Sequence, residues 1–397
     1  MAPLRAWVTL LLVSALFFII TAATFTSLGL VLPAMVGELG WSWGEAGAGF
    51  SLLGVFCGIT STAPAALIRR FGVRANFLIG GGVMACAFAC LAHMQELWVY
   101  FLGLALAGFG FTLLATVPGT YLLTRLFARP NFAFGLYFTI GGLGGVAGPP
   151  LYFLLAGGGA DWRHFWMLMG LMIAACSILA ALFCDTTTDV AALAESDPEI
   201  SHEHWTAKAA MATPQFLVLA VAYSAFLITG FTANATSVAH LTEARGVSDI
   251  TAGTMMSIEA AVNAAARFLG GVLAALVGAR ILLVASLLAL TIGTLALSFG
   301  STLPLLLLYA AGIGLGYGLS FFASTILLLE YFGRKPNLEL FSIVNLISTV
   351  GSAAPWLAGL TRDHTGTFVP FYLLLAVLMA LIAAITFFLR APRASAT

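Results

Sequence analysis

Apolar residues run along this chain in long blocks, and polar residues are confined to short breaks between them. A helix rises 1.5 Å per residue, so a block of about 20 apolar residues is what crosses about 30 Å of hydrocarbon. Reading between charged or Pro/Gly breaks gives twelve such segments: 6–34, 45–68, 75–95, 97–125, 131–157, 163–184, 214–241, 250–277, 281–300, 304–329, 338–360 and 368–390. The pattern predicts an all-α membrane protein with twelve transmembrane helices. The first segment follows a single positive charge, Arg5, and continues to Pro33. That is longer than the core of about 7 to 15 apolar residues of a secretory signal, so it is expected to be kept as helix 1.

One stretch breaks the rhythm. Residues 185–211 hold Asp185, Asp189, Glu195, Asp197, Glu199 and Glu203 with little apolar content, the composition of a solvated loop. This divides the chain into a six-helix bundle over 1–184, a cytoplasmic polar connector over 185–211 and a second six-helix bundle over 212–397. His202 and His204 beside Glu203 are a second reading of that connector, as metal ligands.

The two bundles repeat. A shift of 206 residues places Gly40 and Ser42 on Gly246 and Ser248, Gly72 and Arg74 on Gly278 and Arg280, and Gly108 and Gly110 on Gly314 and Gly316. The same shift places Arg129, Pro130 and Asn131 on Lys335, Pro336 and Asn337, Pro149 on Pro355, and Phe165 on Phe371. One constant offset over six regions means a duplicated six-helix unit, and transporters built this way bind substrate near the bilayer midplane where the repeats meet.

Composition narrows the classes further. Hydrophobic residues make up 61% of the 397 residues and charged residues 8%, against about 25% charged in a soluble domain. Net charge is zero and no basic tract appears, which leaves nucleic acid without a binding surface. The five cysteines form no CxxC pair and read as small hydrophobes, and no cofactor or metal motif is present. The glycines of Gly312–Gly318 lack the preceding strand of a nucleotide loop and suit close helix packing. With both termini cytoplasmic, twelve basic residues fall inside and three, Arg163, Arg245 and Arg362, outside, as the positive-inside rule requires.

Against this background Arg267 stands out. It lies within Ile250–Gly278, a run otherwise apolar or small apart from Glu259 and Asn263. A cation at mid-bilayer costs about 2.5 to 3.5 kcal/mol on insertion scales, so such residues usually face a cavity and mark a substrate or ion route. Asn263, four residues earlier, shares its helix face. A guanidinium suits a carboxylate because its planar fork gives two parallel N–H bonds. Pairing with another helix and snorkelling are the alternatives for Arg267.

The twelve-helix duplicated architecture resembles the major facilitator superfamily. That superfamily typically has Gly-x-x-x-Asp-Arg-x-Gly-Arg-Arg after helix 2. This chain has Ala65-Ala66-Leu67-Ile68-Arg69-Arg70-Phe71-Gly72-Val73-Arg74 there and Gly271–Arg280 in the second copy, both without the acid. Within the superfamily, Glu38–Glu45 at the end of helix 1 resembles the bacterial monocarboxylate porter and oxalate-formate exchanger branch. Ser42 and Glu45 also form a capping box opening helix 2.

The resemblance implies a fold of two pseudo-symmetric bundles and a mid-helix Arg on helix 8, here Arg267, pairing with a substrate carboxylate, with Asp or Asn one turn before it, here Asn263. It also implies tyrosines on helices 4 and 10, here Tyr121 and Tyr317, hydrogen-bonding that carboxylate. Asn234 on helix 7 joins them as a weaker binding candidate. Glu259 and His240 are the proton-coupling candidates. Helix 11 lacks a second intramembrane cation, which argues against a dianion site. The expected function is a secondary active transporter of the inner membrane, moving a small organic monocarboxylate by alternating access, proton-coupled and monomeric. The alternatives are an anion exchanger, an exporter of amphipathic or zwitterionic molecules, and a transporter-like sensor.

Overall fold

The computed structural model of the chain describes residues 4–127, 130–155, 161–184, 205–333 and 336–392. Most of the connector, with His202, Glu203 and His204, and the repeat positions Arg129 and Lys335 lie outside the described residues. Every regular element among those described is helical, and the chain forms two compact units, Met1–Ser196 and Asp197–Thr397.

In the first unit, α1 (Leu4–Thr21) passes through a π-helical turn (Ala22–Thr26) into α2 (Ser27–Leu39). A π turn disturbs the regular i→i−4 ladder, and two side chains supply donors there: Thr24 Oγ1 to Ile20 O at 2.8 Å and Ser27 Oγ to Ala22 O at 2.5 Å. Helix α3 (Trp43–Ile59) opens on the capping box expected from sequence, Ser42 accepting from Glu45 N at 3.1 Å while Glu45 accepts from Ser42 N at 2.9 Å.

The expected segment 45–68 is not one helix. It ends at Ile59, turns over Thr60–Thr62 and resumes in α4 (Ala63–His93). Pro64 has no N–H to continue the ladder, and Thr60 Oγ1 folds back on Phe56 O at 2.5 Å. Gly72 then breaks α4 at φ 80 and ψ 167.

The expected helix 97–125 is likewise two, α5 (Leu97–Leu114) and α6 (Thr116–Leu126), parted at Ala115 with φ −82 and ψ −111. Pro118 cannot donate to Leu114 O, and the disturbed carbonyls are met by side chains. Asn76 Nδ2 donates to Leu113 O at 2.7 Å and the Tyr137 hydroxyl to Ala115 O at 2.6 Å. Helix α7 (Pro130–Leu155) lays Gly144 and Gly148 against the backbone of α1 and its π turn, where added Cβ atoms would sit 2.2 Å from Phe18 O and 2.8 Å from Ala22 O. Helix α8 (Trp162–Phe183) is tied at its start to Glu38, which accepts from Trp162 Nε1 at 2.7 Å and pairs with Arg163 at 2.5 Å.

The second unit contains α9 (Ala207–Met211), α10 (Pro214–Ala239) with a π-helical end (His240–Ala244), α11 (Asp249–Val277), α12 (Ala279–Phe299) and α13 (Leu303–Phe332). It closes with α14 (Asn337–Ser348), a 3₁₀ step (Thr349–Ala353), α15 (Ala354–Thr365) and α16 (Val369–Phe387). The expected segment 338–360 therefore carries a tightened turn, just before Pro355.

The 206-residue repeat is visible in local geometry. Gly40 and Gly246 have φ 68 and 66, and Gly72 and Gly278 have φ 80 and 83, left-handed values that favour glycine. Ser248 caps α11 as Ser42 caps α3, accepting from Thr251 N at 3.3 Å. A Cβ on Gly108 would lie 2.3 Å from Leu53 O, and one on Gly314 would lie 2.5 Å from Glu259 O, the residue 206 beyond Leu53. Gly110 and Gly316 repeat this against Met84 and Leu290, again 206 apart.

Ten helices among the described residues are long and apolar enough to cross a membrane. Trp43–Ile59, at 17 residues, is a shorter apolar helix, and Asp249–Val277, at 29 residues, has ample length. Asp249–Val277, which carries Glu259, Asn263 and Arg267, is not among those ten, and with it and Trp43–Ile59 the helices correspond in order to the twelve segments read from the sequence.

Candidate functional site

Helix α11 runs unbroken through the polar positions because Ser248 caps its start, Asp249 sits in its first turn and Gly278 ends it. Its glycine-rich neighbour α13 lies close: a Cβ on Gly318 would sit 2.6 Å from Asn263 O and 3.2 Å from Arg267 N. That close approach brings the Arg267 side chain over the aromatic residues of α13.

Arg267 is exposed within its unit. Its Nε donates to Asn263 Oδ1 at 2.9 Å. Its guanidinium carbon lies 5.5 Å from the Tyr317 ring and 4.9 Å from the Phe321 ring. A cation over such faces gains about 0.5 to 2 kcal/mol. Among the described residues no carboxylate lies within ion-pair distance of Arg267, and its two Nη groups make no hydrogen bond. A guanidinium has five N–H donors, so the end bearing both Nη groups remains able to receive two acceptor oxygens side by side.

The candidates divide into three groups. Asn263 and Tyr317 stand with Arg267, Tyr317 through its ring face. Asn234 is one turn from Gly230, whose backbone packs on the Tyr317 ring, but its Nδ2 donates to Gly230 O of its own helix at 2.9 Å. Tyr121 belongs to the first unit, where the Arg125 guanidinium lies 4.5 Å from its ring centre.

Glu259, only 7% exposed, accepts from the Tyr309 hydroxyl at 3.0 Å rather than pairing with Arg267 two turns further along. His240 is fully buried. Its Nε2 lies 3.3 Å from Ser298 O, its ring meets Tyr372 edge-on at 5.2 Å, and Arg245 donates to the same Ser298 carbonyl. These two titratable residues thus sit in separate settings.

The sequence reading missed part of the Arg267 surroundings. Phe321 lies one helical turn after Tyr317, a spacing that places both on one face of α13. Tyr223 of α10 packs on Phe321 at 6.3 Å between ring centres and donates to Asn345 Oδ1 of α14 at 3.2 Å. Nothing along α10 or α14 alone distinguishes Tyr223 or Asn345 from packing residues.

The family model of the major facilitator superfamily matches residues 13–237 and 219–397, nearly the whole chain. The chain belongs to the major facilitator superfamily. It is accordingly a multi-pass membrane transporter. No curated protein matches it by sequence.

Among solved structures, a bacterial homolog of the human lysosomal transporter Spinster, inward-facing and unoccupied, aligns with TM-score 0.77 at 14% identity, covering 98% of this chain and 97% of that one. The nucleoside transporter NupG aligns with TM-score 0.76 at 14% identity, covering 98% and 100%. At this identity these superfamily members share the fold with the chain.

Proposed function

We propose that this superfamily member is a secondary transporter of small organic anions, specifically monocarboxylates, of the kind moved by the monocarboxylate porter and oxalate-formate exchanger branch. The observation that carries the reading is Arg267, a cation in a membrane helix with aromatic faces and an asparagine at its side and no carboxylate partner among the described residues. An uncompensated cation in hydrocarbon is costly, and a substrate anion supplies the missing charge. With Nε held by Asn263, the carboxylate docks end-on to the two Nη groups. Tyr317 supports the fork, and Asn234 of the same unit is a further contact of the transported acid.

Carrying an anion into a cell against an inside-negative potential costs about 2.3 kcal/mol per 100 mV, so uptake requires a proton or a counter-anion. Proton symport is the first choice, with Glu259 and His240 as the groups to test, and anion exchange the second. The protein works as a monomer in the inner membrane with both termini cytoplasmic and needs no cofactor. Uptake of radiolabelled lactate, pyruvate and benzoate by liposomes holding the purified chain tests the reading. Wild-type protein accumulates at least one of them and Arg267→Ala none. Full uptake by Arg267→Ala rejects Arg267 as the hook.

A further inference from the structure

Glu259 is a carboxyl group inside a membrane helix, 7% exposed, whose hydrogen bond comes from Tyr309 of α13. The same helix crossing exists in the first unit without any such pair. There Gly108 of α5 meets Leu53 O of α3, as Gly314 of α13 meets Glu259 O of α11. Shifting by 206 residues turns Glu259 into Leu53 and Tyr309 into Gly103. The first copy packs this point with Leu53 and Gly103 and uses a phenol one turn earlier, Tyr100, to donate to the Ala46 carbonyl at 2.7 Å, so the buried carboxyl is what the second copy adds beyond packing.

The titratable groups facing Glu259 are Tyr309 and, at longer range, Tyr317, both on α13. Helices α10 and α12 bring it no charged side chain, and no Lys, Arg or His pairs with it among the described residues. Arg267 lies eight residues further along the same helix, about 12 Å at 1.5 Å per residue. Behind Tyr309 is a polar patch. The Ser237 hydroxyl is buried without a hydrogen bond of standard geometry, and Thr236 and Tyr372 bond each other at 2.7 Å.

Charge arithmetic links the two sites. With Arg267 positive and Glu259 ionised, the empty carrier is neutral across the pair. Adding only the anion leaves −1, adding only a proton leaves +1, and adding both restores neutrality. A low-dielectric interior disfavours the two unbalanced forms, so the forms that reorient carry both ligands or neither.

We infer that the Glu259 carboxyl, held by the Tyr309 hydroxyl, binds the coupling proton apart from the anion hook at Arg267, and that Tyr309 is its positioning residue. This rests on the anion-carrier reading above. The proton arrives from the outer solvent, resides on a Glu259 oxygen during reorientation and leaves to the inner solvent, with no bond to the substrate formed or broken.

The test uses liposomes holding the full chain, with radiolabelled lactate, pyruvate and benzoate as probes, in two modes: accumulation driven by an imposed pH gradient, and gradient-free counterflow against the same unlabelled acid. Glu259→Gln mimics the protonated carrier permanently. It is expected to lose gradient-driven accumulation by roughly tenfold or more while counterflow persists, in the range of typical coupling energies. Tyr309→Phe retains counterflow and shifts the pH of half-maximal uptake by about half a unit or more, and Glu259→Asp restores part of the gradient response.

Accumulation by Glu259→Gln that still follows the gradient as in wild type overturns the inference while leaving the anion hook intact. So does Tyr309→Phe with an unchanged pH profile. Loss of both modes in Glu259→Gln, with the protein still binding probe, also overturns it, because a proton mimic must still exchange. A wild-type chain that moves no probe in either mode sinks the anion reading and this inference together.

Discussion

Helix α11 runs through Asn263 and Arg267 without interruption, whereas its counterpart 206 residues earlier has Cys57 in place of the asparagine, ends at Ile59 and turns over Thr60–Thr62, with Ser61 at the position of the arginine. The contrast continues one helix on. Helix α13 is continuous past Tyr317 and Phe321, while the first copy has Phe111 and Ala115 there and breaks at Ala115. Small residues that set backbone approach are duplicated, Gly108 with Gly314 and Gly110 with Gly316, yet the polar side chains are not. Packing is what the two copies share, whereas the polar positions of α11 and α13, Glu259, Asn263, Arg267, Tyr309 and Tyr317, have Leu53, Cys57, Ser61, Gly103 and Phe111 as their counterparts. An invariant frame under divergent side chains separates what holds the helices from what they do.

The sharpest way to break this contrast is Arg267→Lys. Lysine keeps the charge but loses the planar fork and its stacking on Tyr317 and Phe321, and forfeits charge-assisted bonds of about 1.5 to 3 kcal/mol each. Probe affinity, read by thermal shift or calorimetry, is expected to fall roughly 100-fold or more. Adding Ser61→Arg in the same protein restores nothing, because α3 has already ended at that position. Rescue by that second change would show the two copies to be interchangeable.

A smaller effect is expected from the shared frame. Gly108→Val and Gly314→Val each push side-chain atoms against a carbonyl that a Cβ alone would meet at 2.3 Å and 2.5 Å. Overpacking of this sort costs about 1 to 3 kcal/mol. Each variant should melt several degrees below wild type in detergent, by similar amounts, and unequal losses would show that one copy depends on the crossing more than the other. Smallest are the caps. Ser42→Ala and Ser248→Ala should each cost about 1 kcal/mol, with Ser42→Ala the larger because its hydroxyl also donates to the Glu45 carboxylate at 3.0 Å.

The fold was legible because hydrocarbon leaves a chain few options: apolar blocks of the right length become helices that satisfy their own backbone. The repeat was legible for a related reason. Left-handed turns at Gly40, Gly72, Gly246 and Gly278 accept few residues besides glycine, so the same letters recur at the same spacing. Interruptions inside the apolar blocks were not. At Thr60–Thr62 and at Ala115 the chain stays apolar or small, and the breaks depend on Pro64 and Pro118 acting with Thr60, Asn76 and Tyr137 from elsewhere in the fold. The Arg267 neighbourhood was half legible. Asn263 follows from helical spacing and Tyr317 from its place on the tenth segment, but Tyr223, Phe321 and Asn345 meet only through tertiary packing, which no single segment encodes. Glu259 and His240 were visible as titratable residues. Their partners, Tyr309 and the Ser298 carbonyl, were not.

The discontinuity at Ala115 has a corollary for life in oil. A bend in a membrane rod ordinarily strands acceptors where no water can reach them, and lipid offers none in exchange. Because an amide on α4 and a phenol on α7 donate to the Leu113 and Ala115 carbonyls, two of the acceptors beside that bend are met from neighbouring helices, and its crook is as durable as the neighbours that grip it. Removing either grip, by Asn76→Leu or Tyr137→Phe, turns a settled elbow into a fault line.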